Sequence, residues 1–117
     1  MKIQAIESHD QVEVALDGAR GTRMRMLIGP DDGATNFHMR HFEVGPGGCT
    51  PHHSHDHEHE ILVLKGEGVA VSEQGERPFK AGDVIFIPPN ERHRLMNRSD
   101  KPSEFICLIP APYDSGR

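Results

Sequence analysis

The 117-residue sequence contains no tryptophan, one tyrosine, two cysteines and no long apolar run. Without the roughly 18 consecutive apolar residues of a membrane span, and without a basic-then-apolar N-terminus, we expect a cytoplasmic chain. Cys49 and Cys107 show no CxxC spacing, so two reduced thiols are expected. The net charge of −5 argues against nucleic-acid binding, which requires a basic face. The scarcity of aromatic residues does not exclude a β-barrel, because branched aliphatic side chains can fill a small one.

The sequence does contain many short apolar runs separated by glycine and proline. Most of its 12 glycines and 9 prolines lie in joints such as "GPDDG", "KGEG" and "PPNE". The runs between them predict strands, because they are rich in Val, Ile, Leu and Phe or alternate apolar with polar residues. Many short antiparallel strands in one domain, residues 1–117, predict a closed barrel or a two-sheet sandwich. The strand candidates are Met24–Ile28, Phe37–Val44, His59–Leu64, Val69–Ser72, Val84–Ile87, His93–Asn97 and Phe105–Ile109.

The joints also predict how some of these strands are connected. Gly66 and Gly68 supply permissive backbone for a tight reversal, after which "VAV" is expected to run back along "EILVL". Pro88 and Pro89 are expected to end the strand that precedes them, since proline cannot donate a hydrogen bond to a neighbouring strand.

The stretch "TPHHSHDHEHEILVLKGEG" holds five histidines, four of them at strict two-residue spacing. On a strand, residues two apart share a face with Cα atoms about 6.6–7 Å apart, so His53 and His55 can converge on one metal ion. On a continuous strand, His59 would lie about 20 Å from His53, too far to share that ion. A bend at the polar residues 56–58 would return His59 to the pair and leave His57 facing water.

The same spacing resembles the first sequence motif of the cupin family: Gly, five residues, His-x-His, three or four residues, a third ligand, six residues, Gly. Gly47 is followed by five residues and then His53-Ser54-His55. Both His59 and Glu60 fit the third ligand position. Six residues after His59 lead to a glycine, whereas six after Glu60 lead to a glutamate. The resemblance therefore favours His59 and leaves Glu60 as the alternative ligand.

A second stretch resembles the other cupin motif: Gly, five residues, Pro-x-Gly, two residues, His, three residues, Asn. It runs from Gly82 to Asn97 and places the motif histidine at His93. Asn90 stands where the family has glycine; asparagine tolerates left-handed backbone, so we expect the turn to survive. The resemblance implies an all-β, antiparallel double-stranded β-helix, the jelly-roll or cupin barrel. More narrowly, the chain looks similar to small single-domain cupins that bind manganese through four histidines.

The resemblance implies a divalent metal held by His53, His55, His59 and His93, with Mn(II) first and Fe(II) next. Ni(II), Cu(II) and Zn(II) also suit an all-imidazole site. Four ligands on an octahedral ion leave two positions for water, a bidentate anion, or substrate and dioxygen. Because imidazole binds metal in its neutral form, the metal is expected to leave as the pH falls below about 6.

Strand alternation suggests which other side chains lie near this site. The manganese cupins that the chain resembles have an arginine and a cysteine matching Arg40 and Cys107, which makes these two the candidate catalytic residues. Both are expected to point into the barrel, with Arg40 anchoring a carboxylate or enolate in a largely apolar pocket. Further pocket candidates on the same strand faces are His38, Phe42, Phe105 and Ile109.

These features imply a metal-dependent oxidoreductase of dioxygenase type that acts on a small molecule or anion. One alternative is a non-enzymatic ligand- or metal-binding module such as a sensor. Another is a metal-assisted isomerase or decarboxylase, for which Glu60 is the nearby carboxylate.

The sequence also predicts a homodimer. Both faces of "EILVL" and "VIFI" are apolar, so one face fills the barrel and the other is free to meet a second copy. The resemblance implies that residues 1–22 form a strand or arm contributing to that dimer. Within this segment Glu7–Leu16 permits a weak helix, although Val12, Val14 and Leu16 alternate as in a strand.

Overall fold

Nine strands form one antiparallel sheet that curls into a half-barrel in the computed structural model, which describes residues 1–111. The predicted all-β jelly-roll class is confirmed. The last six residues of the predicted 1–117 domain lie outside the described residues. No helix in the described part of the chain is long and apolar enough to cross a membrane. The strands are β1 (Val12–Glu13), β2 (Arg20–Ile28), β3 (Phe37–Cys49), β4 (His59–Lys65), β5 (Glu67–Ser72), β6 (Gly75–Lys80), β7 (Val84–Ile87), β8 (His93–Met96) and β9 (Ser103–Pro110).

The long strand β3 joins the two halves of the sheet, whose strand order is β6-β5-β8-β3-β9-β4-β7. It pairs with β9 from Phe37 to Val44 and with β8 at Cys49. On another edge it pairs with β2, which carries β1. As a result β4 and β8, which bear His59 and His93, lie in different halves of the curled sheet.

All seven predicted strands are present, most of them longer than predicted, and two strands were missed. The missed strand β6 carries Pro78 and lies at the end of the strand order, where it pairs only with β5 among the described strands. Proline is tolerated there because an edge strand leaves one side without ladder hydrogen bonds. The helix considered over Glu7–Leu16 is wrong: a 3-10 turn, Ile6–Ser8, is followed by the short strand β1.

The reversal predicted at Gly66 and Gly68 is also wrong. Strand β4 pairs with β7 and β9, whereas β5 pairs with β6 and β8. The chain therefore crosses from one half of the sheet to the other at Gly66, where φ is 78°. A Cβ atom on Gly66 would lie 2.5 Å from the carbonyl oxygen of Pro102, so this crossing has no room for a side chain.

Burial alternates along the strands and places an apolar core between the two halves. On β9, for example, Ser103, Phe105, Cys107 and Ile109 are buried while the residues between them are half-exposed. Full burial of each large apolar side chain contributes about 1.5–3 kcal/mol. Several core residues also form the wall of a central cavity: Ile61, Ile87, Leu95, Phe105 and Cys107.

Candidate metal centre and its cavity

The two histidine motifs meet through the backbone. His53 and His93 form an antiparallel bridge in which the His53 N–H donates to the His93 carbonyl at 3.1 Å and the His93 N–H donates back at 2.9 Å. His53 precedes β4, and His93 begins β8. Residues far apart in sequence are thus held in register before any side chain takes part.

The loop between His55 and β4 has the predicted bend. Asp56 and His57 lie in a bend, and the chain returns to His59 at the first position of β4. The loop is supported by Asn90, whose backbone N–H donates to the His55 carbonyl. Asn90 has φ 68°, the left-handed conformation that its place in the second motif predicted.

Four histidine rings surround the end of this loop. Ring centroids are separated by 4.2 Å for His53 and His55, 5.2 Å for His53 and His93, 5.1 Å for His59 and His93, and 5.4 Å for His55 and His59. The Nε2 atoms of His53 and His55 are 3.2 Å apart. Two nitrogens bound at right angles to one ion at about 2.1 Å would be about 3.0 Å apart, so this pair is close to the spacing of adjacent ligands.

Hydrogen bonds orient two of these rings. His93 Nδ1 donates to the Glu91 carbonyl at 2.9 Å, which leaves Nε2 of the neutral ring with its lone pair. His59 Nδ1 lies 3.3 Å from Cys107 Sγ. Its Nε2 is buried and has no hydrogen-bond partner among the described residues. A buried imidazole nitrogen without a partner is costly, and a metal ion would satisfy it.

The rings do not form a closed coordination set in this structure. Within residues 1–111, no three His, Cys, Asp or Glu side chains are already placed to hold one ion. The donor set has the chemistry of a divalent transition-metal site, and the 3.2 Å pair and the partnerless His59 Nε2 agree with one. Ligation by all four histidines therefore requires some of the rings to turn.

The environment keeps these imidazoles neutral. Burial, followed by the neighbouring His55 and His93, lowers the pKa of His53 from 6.5 to about 4. Burial, with His93 and Arg40 next, holds the pKa of His59 well below its usual range. Burial also lowers the pKa of His55 and of His93. At neutral pH the four rings are thus in the form that binds metal.

The histidines open onto a central cavity of about 60 Å³. Its polar side is formed by the four imidazoles and Arg40, and the remaining wall is largely apolar. The wall residues are Val14, Leu16, Met24, Phe42, Thr50, Pro51, Ile61, Ile87, Leu95, Phe105 and Cys107.

Arg40 and Cys107 lie side by side in this cavity, as adjacent partners on β3 and β9. Arg40 is 5% exposed, and its Nη2 donates to Cys107 Sγ at 3.3 Å. Its guanidinium also lies 4.9 Å from the centre of the Phe42 ring, a cation–π contact. Because Sγ contacts both Arg40 and His59 Nδ1, this sulfur connects the cationic group to a candidate ligand. Burial raises the pKa of the Cys107 thiol, which is therefore neutral at pH 7.

Of the four further pocket candidates, Phe42 and Phe105 line the cavity and the other two do not. His38 and Ile109 are buried partners two pairs along β3 and β9 from Arg40 and Cys107, the next pair on the same face. Ile109 packs in the core and lines a separate surface groove.

The structure also places Glu60, the alternative ligand, and His57, which was expected to face water. Glu60 lies on the opposite face of β4 from His59 and lines the surface groove instead of the cavity. The prediction that His57 faces water is wrong, because its side chain is only 9% exposed. Its ring stacks on His55 at 4.8 Å and lies 5.1 Å from His59, so the bend buries it.

The N-terminal segment also contributes to the cavity, which was not predicted from the sequence. Val14 and Leu16 reach the cavity from beside β2, and Met24 reaches it from β2 itself. The alternation of Val12, Val14 and Leu16 was visible in the sequence, but it does not say which face of which strand those side chains will cover.

A curled antiparallel β-barrel with histidines from two motifs facing an interior cavity defines the cupin class of proteins. The cupin-domain family model matches residues 40–109, more than half of the sequence, and the chain belongs to this family.

Solved and curated relatives differ in what they do. The polyketide cyclase RemF from Streptomyces resistomycificus superposes with a TM-score of 0.90 at 37% identity, covering 94% of this chain and 79% of RemF. The 1-methylthio-D-xylulose 5-phosphate methylsulfurylase of Rhodospirillum rubrum is 31% identical over 77% of this chain and 57% of its own length. The tetracenomycin polyketide synthase protein TcmJ of Streptomyces glaucescens is 29% identical over 82% of this chain. The chain spans 57% and 66% of the lengths of these two curated relatives.

Proposed function

We propose that the protein is a metal-dependent enzyme that closes a ring in an enolisable polycarbonyl compound, as a polyketide cyclase does. The observation that carries the proposal is the likeness to RemF, which extends over 94% of this chain at 37% identity. The cavity agrees with this chemistry, because it combines imidazoles, one buried guanidinium and an apolar wall.

In this proposal His53, His55, His59 and His93 hold the ion, with Mn(II) as the first candidate and Fe(II), Zn(II), Ni(II) or Cu(II) as further ones. A bound divalent ion supplies Lewis acidity, which polarises a carbonyl and favours its enolate. Neutral imidazoles suit this role, since burial keeps the four histidines unprotonated at neutral pH.

The chain's own side chains then bind and orient the substrate. Arg40 attracts the negative charge of an enolate or carboxylate, and the Cys107 and Phe42 contacts hold its guanidinium in place. Apolar wall residues such as Ile61, Leu95 and Phe105 exclude water and favour a folded carbon chain. Ring closure of the aldol type forms one C–C bond between an enolate carbon and a carbonyl carbon and releases one water.

The test combines elemental analysis with a turnover assay. Protein purified without an affinity tag is expected to carry one divalent ion per chain, and His93→Ala to lose it. Metal-loaded protein is then incubated with 1-aryl-1,3,5-hexanetriones, and ring closure is followed by mass spectrometry as the loss of one water. NMR distinguishes the carbocycle formed by C–C closure from the pyranone formed by C–O closure, which also releases one water. Arg40→Ala is expected to lower kcat/KM about 100-fold, with partial recovery in Arg40→Lys, because a charge-assisted contact to an oxyanion is lost. A metal-free protein, or full activity in Arg40→Ala, contradicts the proposal.

A second candidate is the dioxygenase-type oxidoreductase that the sequence resemblance implies. The all-imidazole donor set beside the cavity agrees with it, because imidazole ligands suit redox-active metals such as iron and copper. Oxygen uptake in an electrode chamber with phenolic, diketone and flavonol compounds separates the two, since aldol ring closure consumes no oxygen. Micromolar ligand binding without turnover in either assay favours the non-enzymatic sensor instead.

We also propose that the protein is a homodimer, with the outer face of β4, β7 and β9 as the contact. The exposed apolar side chains on this face include Val84 at 79%, Phe86 at 59% and Leu62 at 44%. Val84 and Leu62 are direct cross-strand partners, so the apolar surface is continuous between the two strands. Continuous exposed apolar patches of this kind are typical of protein–protein contacts.

A further inference from the structure

The central cavity is smaller than the proposed function requires. Its volume of about 60 Å³ compares with about 300–1,000 Å³ for sites that enclose organic ligands. Water or dioxygen fits in this space, whereas an aromatic polycarbonyl compound does not. For such a substrate to reach the histidines, part of the wall has to move. The need for this movement rests on the proposed function.

The least secured part of the wall is the segment Val12–Asp17. Strand β1 within it has two residues and pairs only with β2 among the described strands. Beyond β1, the segment is held by one further ladder hydrogen bond, from the Val14 N–H to the Thr22 carbonyl at 2.9 Å. Segments with so few hydrogen bonds and so little burial are the ones that open first in native proteins.

The segment also lies in the right place. The side chains of Val14 and Leu16 line the cavity, while Leu16 remains 37% exposed and Val12 52% exposed. Val14 and Leu16 thus form a part of the cavity wall that is itself in contact with solvent or next to it. The other wall residues belong to β2–β9 or to the loop of the first histidine motif, and moving them would disrupt the sheet or the candidate metal centre.

The C-terminal end of the segment is anchored at a glycine, Gly18. The Gly18 carbonyl accepts hydrogen bonds from Arg94 Nη2 at 3.3 Å and from Cys49 Sγ at 3.2 Å. Gly18 itself has φ 86°, a conformation that glycine adopts without strain. The segment can therefore swing about a fixed point while the residues after it stay in place.

We propose that Val12–Asp17 is a lid that opens by separating β1 from β2, and that Val14 and Leu16 set the size of the molecule admitted to the histidines. In the closed state the cavity holds only small molecules such as water or dioxygen. In the open state the cavity widens, and its apolar wall becomes accessible to an aromatic compound.

A reversible disulfide tests the lid directly. Glu13 and Arg23 are cross-strand partners with exposed side chains, and the Val14–Thr22 hydrogen bond next to them identifies them as a non-hydrogen-bonded pair. Such pairs have Cα atoms about 4.5 Å apart, within the range that a disulfide spans. The native Cys49 and Cys107 are both buried and free. In the double variant Glu13→Cys/Arg23→Cys, oxidation therefore pins the lid at its N-terminal end, and reduction releases it.

Two ligands are compared by calorimetry in metal-loaded protein: azide, which fits the closed cavity, and benzoylacetone, an aromatic diketone that does not. Oxidation of the double variant is expected to weaken benzoylacetone binding at least about tenfold and to leave azide binding unchanged, with full recovery on reduction. The single variant Glu13→Cys, treated identically, is the control. Equal benzoylacetone binding in the oxidised and reduced forms, or none in the reduced form, overturns the lid.

Hydrogen exchange gives a readout that needs neither turnover nor metal. The Val14 amide is expected to exchange at least about tenfold faster than the amides of β3 in the reduced double variant, and to slow on oxidation. Leu16→Ala is expected to strengthen benzoylacetone binding, whereas Ile28→Ala, which trims a comparably exposed side chain (39%) away from the cavity, has no effect. A Val14 amide as protected as those of β3 rules out opening, whatever reaction the protein catalyses.

Discussion

At the scale of single residues, the site needs histidine rings that are both neutral and fixed in orientation, and burial helps to supply both. Each ring is withdrawn from water enough to stay neutral, and two of them have a neighbour that orients them: Glu91 for His93 and Cys107 for His59. Neutral, oriented imidazoles present a lone pair to a metal ion, although ligation by all four requires some of the rings to turn. The same burial makes the rings costly to protonate, so the folded state loses stability in acid.

This sensitivity predicts how stability depends on pH. In the folded protein the pKa of His53 is about 4, whereas its ordinary value is 6.5. Between pH 6.5 and pH 4 the unfolded chain therefore binds a proton at this residue that the folded chain does not. The melting temperature of metal-free protein is therefore expected to fall as the pH drops from 6.5 to 4. His53→Gln is expected to flatten this slope, as measured by calorimetric melts. A melting temperature constant over that window contradicts the burial argument.

Residue types and spacing predicted which side chains face the cavity, but they did not predict how far along each strand the cavity extends. His53, His55, His59, His93 and Arg40 all line it, as the two motifs and strand alternation had indicated. His38 shares the face of Arg40 but lies beyond it, since alternation gives the face of a strand and not the depth at which a cavity ends. His57 is buried because neighbouring rings cover it, a tertiary effect that no local pattern carries.

At the scale of elements, strand positions followed from composition, but the pairing of strands did not. The run Val84–Ile87 was located to the residue, because it is rich in β-branched and aromatic residues and two prolines follow it directly. Gly66 indicated a change of direction, yet a glycine permits a hairpin and a crossing between sheet halves equally well. Only the packing of β4 against β9 and of β5 against β8 decides between them.

The crossing at Gly66 predicts a large cost for any side chain there. Gly33 has nearly the same φ, 77° against 78°, but a Cβ atom added to it would meet nothing within 4 Å, so Gly33→Ala isolates the backbone strain. That strain costs about 1–3 kcal/mol. Gly66→Ala adds a collision with the Pro102 carbonyl and Ser103, and its melting temperature is expected to be at least about 10 °C below that of Gly33→Ala.

Thermal melts followed by circular dichroism measure both glycine variants under the same conditions. Equal losses in the two variants would show that the strand crossing yields easily, and that the close approach of Pro102 contributes nothing to the fold.

At the scale of the whole molecule, the curled sheet has two apolar faces, one buried and one exposed to solvent. The inner face forms the core and the cavity wall, while the outer face of β4, β7 and β9 leaves Leu62, Val84 and Phe86 exposed. A second copy on this face would bury these side chains and give each an apolar environment.

Sedimentation equilibrium tests this dimer. The expected mass is twice the 13.0 kDa of one chain, and Phe86→Glu is expected to halve it by placing a charge in the apolar contact. Ile28→Glu, an exposed position on β2, serves as the matched control and is expected to remain dimeric. A mass of 13.0 kDa for the unaltered protein removes the proposed interface.

The paired hydrogen bonds between His53 and His93 have a consequence for the lifetime of the ion that we propose these histidines hold. The two motif loops cannot drift apart while that backbone bridge holds, so partial release of the ion by one motif leaves the other's imidazoles within reach to recapture it. Complete dissociation then requires the bridge itself to break. The dissociation rate of the ion therefore reports how often the His53–His93 bridge opens.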